Sequence, residues 1–178
     1  MFDAQRIHAL AVAIPAARWF ALCGLPFADE ERGRLEMLRA ASGARRLERV
    51  GGWGAIRVFA DDPRALAAYD ADADEAAGLK AVAIGRADAA TVLRATSEVV
   101  ERGLTVLFEA ARQAAARSGA DDAATIRVAA GAASEATYRA ALAASLGEGN
   151  SHRFVLTHDL FASGRWPLAR IDDTLFVL

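Results

Sequence analysis

Thr157-His158-Asp159 is where this chain's residue types come closest to a catalytic arrangement. An imidazole beside a carboxylate serves as a general base, and Arg153, Arg165 or Ser151 would orient an anionic or polar substrate next to it. Adjacent residues on a strand point to opposite faces, so on a strand Asp159 need not touch His158. The structural alternative has His158 start a short helix with Asp159 in its first turn. His152 and His158, six residues apart, would lie about 20 Å apart on a strand, or about 120° apart around a helix. Neither geometry makes a metal pair, no Cys/His spacing supports zinc, and neither a metal site nor a cofactor is expected.

Two further motifs fail on inspection. Asp70, Asp72 and Asp74 sit at the first three ligand positions of a calcium loop. Glu75 then replaces the required glycine, and Ala81 stands where the closing glutamate belongs, so an EF-hand is excluded and a solvated turn between helices is expected. Gly51-Gly52-Trp53-Gly54 lacks the lysine and hydroxyl of a phosphate loop, and Arg57 occupies the third glycine of a dinucleotide fingerprint. It reads as a tight turn anchored by Trp53. Gly164-Arg165-Trp166-Pro167 has two readings. Arginine and tryptophan on a proline-stiffened segment suit recognition, whereas Trp166 also suits a plug between sheet and helices.

The elements that must position these residues differ along the chain. Of 45 alanines, 43 precede residue 151, which predicts a helical body over 1–150 and an aromatic-rich tail over 151–178. A helix over Asp3–Cys23 is expected, disturbed at Pro15 and stopped by Gly24, followed by a second from Asp29 to about Gly43. Ala9–Ala17 belongs to that first helix, being too short and too interrupted for a membrane span. Ala55–Phe59 alternates like a strand. Pro63 starts a helix with breaks near Asp70–Asp74 and at Gly85, and the longest helix runs from Ala87 to Arg117. Asp121 or Asp122 caps the next, which should pack antiparallel to its predecessor. His152–Leu156 reads as a strand, Leu160–Ser163 as a helical turn closed by Gly164. Leu168–Ile171 and Thr174–Leu178 form a hairpin around Asp172-Asp173 whose last strand has an outer edge in need of a partner.

The fold class expected is therefore α+β, a helix-dominated single domain with a small antiparallel sheet. A net charge of −2 gives no attraction to nucleic acid or anionic membrane, and Arg45, Arg46, Arg49 and Arg57 read as solvated helix-end charges. The single Cys23, in an apolar run, reads as a buried inert thiol and fits a cytoplasmic location. With no complete catalytic motif, the leading expectation is a non-catalytic protein- or peptide-binding module, such as an accessory subunit presenting a peptide to a modifying enzyme, or an inhibitor or immunity-type protein. Its partner would add a strand at the hairpin, with Arg153, Arg165, Trp166, Phe176 and Val177 as binding residues. The alternatives are a small enzyme using His158 and Asp159 on a polar metabolite, and a helical scaffold assembled as a homodimer.

Overall fold

The computed structural model describes residues 2–120 and 122–178, and its fold is an α+β, helix-dominated single domain. Among the described residues, seven α-helices, α1 (Ala4–Ala13), α2 (Asp29–Ala41), α3 (Ile56–Ala60), α4 (Pro63–Arg86), α5 (Ala89–Arg117), α6 (Ala123–Ser145) and α7 (Arg153–Ser163), accompany three strands, β1 (Arg46–Arg49), β2 (Pro167–Ile171) and β3 (Thr174–Val177). Aspartates cap four of the helices. The carboxylates of Asp3, Asp62, Asp88 and Asp122 accept from amides in the first turns of α1, α4, α5 and α6. Asp122 thus fills the capping role for α6, while Asp121 lies outside the described residues.

Several sequence expectations are corrected. The first helix ends at Ala13, because Pro15 opens a short 3-10 turn over Ile14–Ala16. Ala55–Phe59 is not a strand: Ile56 turns inward and α3 leads directly into α4. Asp70–Glu75 makes no break, nor does Gly85, since α4 runs unbroken through both. His152–Leu156 begins a helix, with the His152 ring accepting from Phe154 N–H at 3.2 Å as its cap. Among the arginines read as helix-end charges, Arg46 and Arg49 bound a strand.

The sheet is mixed rather than wholly antiparallel. Its order is β1-β3-β2, with β3 antiparallel to β2 and parallel to β1. The hairpin turn at Asp172-Asp173 forms as expected, with Asp172 at φ 53°. The terminal strand is nevertheless central. Val50 N–H donates to the Val177 carbonyl at 2.8 Å on one side, and Trp166 and Leu178 exchange two backbone bonds on the other. The outer edge expected of β3 is taken by β1, a pairing between segments too distant in sequence to be read from periodicity.

α5 and α6 pack through alanines, with Ala111, Ala115, Ala129 and Ala133 fully buried, so their backbones come close. At the other end of the core, Phe20 makes edge contacts with Trp53, Phe161 and Trp166 at centroid distances of 5.7, 5.8 and 5.7 Å. Phe20 sits at φ 59°, a conformation costly for a bulky residue and retained because three rings surround it.

Candidate functional site

A cavity of about 390 Å³ opens between the N-terminal half of α4 and α6, floored by β2 and α7. Its walls are mainly apolar: Leu66 and Tyr69 from α4, Val128 and Ala132 from α6, Leu168 from β2, and Phe154 from α7. Attachments toward both ends of α4 help hold it in place. Ala76 packs with Ala143 and Phe154 toward the C-terminal half, and Arg64 bridges Asp62 to Asp172 in the hairpin turn at 2.8 and 3.0 Å. The space between those attachments is the cavity. Leu66, Tyr69 and Val128 are about half exposed at its rim and carry the apolar lining out to the surface.

One end of the cavity is charged. Arg139, only 6 % exposed, projects from α6 and its guanidinium lies 4.7 Å from the Tyr69 ring centre and 5.7 Å from that of Phe154. Its Nε donates to Glu135 Oε1 at 2.9 Å, and its Nη1 is 3.5 Å from Asp72 Oδ2. Arg153, in the first turn of α7, donates to Asp72 and, at 2.6 Å, to Glu75 Oε2. Burial works against the Arg153 charge, but the hydrogen bonds it donates to Glu75 and Asp72 outweigh it and raise its pKa. Arg139 Nη2 is buried and has no hydrogen-bond partner among the described residues. Leaving such a donor unmatched costs about 1–3 kcal/mol, more for a charged group. Structures retain that cost where a ligand or ordered water supplies the acceptor.

The residues singled out from sequence divide between this cavity and the core. Arg153 and Trp166 line the cavity, Trp166 as a fully buried part of its base. Arg165 is 1 % exposed and faces away, donating to Glu31 and to the carbonyls of Leu22, Leu25 and Pro26. Phe176 packs at 5.0 Å on Phe59, and Val177 is buried within the sheet. His158 and Asp159 do meet, with Nδ1 and Oδ1 at 3.2 Å. His158 is 5 % exposed, has its ring edge against Trp19 at 5.8 Å, and does not line the cavity. Ser151 is exposed and lies outside the cavity lining. Burial pushes the Cys23 thiol up to about 12, which keeps it protonated and unreactive near neutral pH.

Arg139 and Tyr69 were not singled out from sequence, and Asp72 was considered only within the acidic run 70–75, read as a solvated turn. The available signal was Arg139 itself, a lone arginine on the α6 face that also carries Ala132, Ala136 and Ala143. No group of three or more His, Cys, Asp or Glu side chains among the described residues is arranged to hold a metal ion. No helix among them is long and apolar enough to cross a membrane. No family model matches the chain, and no curated protein or solved structure shows significant similarity to it.

Proposed function

We propose that this chain is a non-catalytic peptide-binding module whose site is the α4–α6 cavity rather than the edge of the terminal hairpin. The lining carries this reading: mainly apolar walls around about 390 Å³, with a few polar groups gathered at one end. Sites of that size and character hold a ligand by apolar burial and orient it by a small number of hydrogen bonds. The apolar rim at Leu66, Tyr69 and Val128 favours a polypeptide over a free small molecule. A chain crossing the mouth would cover these side chains while inserting one or two of its own. An accessory subunit or inhibitor binds a partner segment in this way.

Gly131 supplies the test. It lines the cavity from α6, and a Cβ built there meets nothing within 4 Å, so Gly131→Trp should fill the space without disturbing the helix. Random peptides displayed on phage would be selected on the immobilised wild-type protein and counter-selected on the Gly131→Trp variant. Enrichment of peptides sharing an apolar anchor, bound by wild type and lost with the tryptophan, is the expected result. Peptides that bind both proteins equally, or no enrichment at all, would remove the cavity as the site.

A further inference from the structure

We infer that the polar group received at the charged end of the cavity is a neutral carbonyl, the amide of a peptide backbone or side chain, accepted by Arg139 Nη2. This deepens the peptide-binding reading and rests on it. The donor is the first observation: Arg139 lines the cavity, is nine-tenths buried, and keeps Nη2 unmatched while Nε and Nη1 face Glu135 and Asp72. The Tyr69 and Phe154 ring centres lie 4.7 and 5.7 Å from the guanidinium carbon, and with Nε and Nη1 committed to carboxylates they restrict where Nη2 can turn.

The charge balance selects the kind of acceptor. Arg139 and Arg153 face Asp72, Glu75 and Glu135, so the carboxylates outnumber the guanidinium groups by one. A carboxylate brought to Nη2 would widen that excess, within a partly desolvated site, next to carboxylates already committed to the same two guanidinium groups. A carbonyl oxygen completes the donor without that repulsion. Two further arginines line the cavity: Arg127 sits twelve residues from Arg139 along α6, about 18 Å, and Arg170 on β2 commits its Nη1 to the Ser42 carbonyl at 2.8 Å.

The experiment compares two probes of one shape, 4-phenylbutanamide and 4-phenylbutanoate, titrated at millimolar concentration into the ¹⁵N-labelled protein. Amide resonances around the cavity, including Leu66, Gly131 and Leu168, report binding. The expected result is saturable shifts with the amide bound about tenfold more tightly than the carboxylate. Arg139→Lys, which keeps the charge but not the fork of donors, should reduce that preference to near parity. Gly131→Trp should abolish both titrations, and it leaves Arg139 untouched if the lysine variant fails to fold. Equal or tighter binding of the carboxylate overturns the inference while leaving an apolar binding cavity in place. No saturable shift from either probe overturns the inference and the cavity reading together.

Discussion

Arg165 Nη2 lies 2.8 Å from Glu31 Oε2, and the same guanidinium donates to the carbonyls of Leu22, Leu25 and Pro26 at 2.6–2.7 Å. One side chain from the middle of the tail therefore ties down the linker before α2 and the first turn of α2 itself. The arginine is 1 % exposed and the glutamate 13 %, so both charges have left water and depend on each other. Arg165→Met should cost about 3–5 kcal/mol, because it takes the paired cation from Glu31, leaving it the Ala28 N–H, and removes donors from the carbonyls of Leu22, Leu25 and Pro26. Urea denaturation measures it. A loss below about 1 kcal/mol would mean that the linker finds other donors and that Arg165 is not its clamp.

Acid should destabilise the protein through identifiable carboxylates. The Arg165 hydrogen bond holds Glu31 below the usual range, Arg64 brings Asp62 to about 2, Arg112 brings Glu109 to about 2, and Thr125 brings Asp122 to about 2. Each folded pKa lies below its unfolded value, so the unfolded chain takes up protons first as pH falls. Stability is then fully present above roughly pH 5 and declines toward pH 2. Urea midpoints measured from pH 7 to pH 2.5 should trace that decline. Arg165→Met should show a shallower slope, since Glu31 no longer contributes. An unchanged slope would remove Glu31 from the account.

What was legible in the sequence follows from how local each determinant is. Asp62 followed by Pro63, and Gly164 after Ser163, act within one turn of their helices, and those boundaries were readable, whereas the helix expected from Ala87 starts at Ala89 with Asp88 as its cap. The hairpin around Asp172-Asp173 is equally local. β1 was not, because Arg46–Arg49 is a strand only through its pairing with Thr174–Val177. Alternation misled at Ile56–Phe59, where Ile56 is buried, Val58 is exposed and the segment is a single helical turn. The candidate site was the least legible part. Arg139, Asp72 and Arg153 come from three helices, and no spacing within one segment brings them together.

Two glycines should respond oppositely to alanine. At Gly131 a Cβ meets nothing within 4 Å inside a helix, so Gly131→Ala should stabilise by about 0.5–1 kcal/mol through helix propensity. At Gly164 the backbone is left-handed, φ 111°, and a Cβ would lie 3.1 Å from both Arg18 O and Leu22 N. Gly164→Ala should cost more than about 1 kcal/mol, because the strain and the clash with main chain combine. Thermal melts of both variants test the pair. A stabilised Gly164→Ala would show that the Arg18–Leu22 segment does not press on the α7 cap as described.

Val177 decides whether the terminal strand can serve as a docking edge. Trp166 and Leu178 exchange their bonds on the β2 side, and Val50 N–H reaches the Val177 carbonyl from the β1 side. The alternation of a strand therefore points the Val177 amide at β1, within a side chain fully buried in the sheet. Val177→Pro removes that donor from a central strand, and should cost about 3 kcal/mol or more of stability instead of weakening a partner selectively. Arg49→Pro is the control. Arg49 pairs with Val177 from the exposed strand β1, and the same alternation turns its own amide to the open side. It should lose the 2.9 Å bond from its side chain to Gly24 O and little else. Far-UV circular dichroism with thermal melts separates the two. A Val177→Pro variant melting close to wild type would mean that β3 has a free edge after all, and would restore strand addition at the hairpin as a mode of binding.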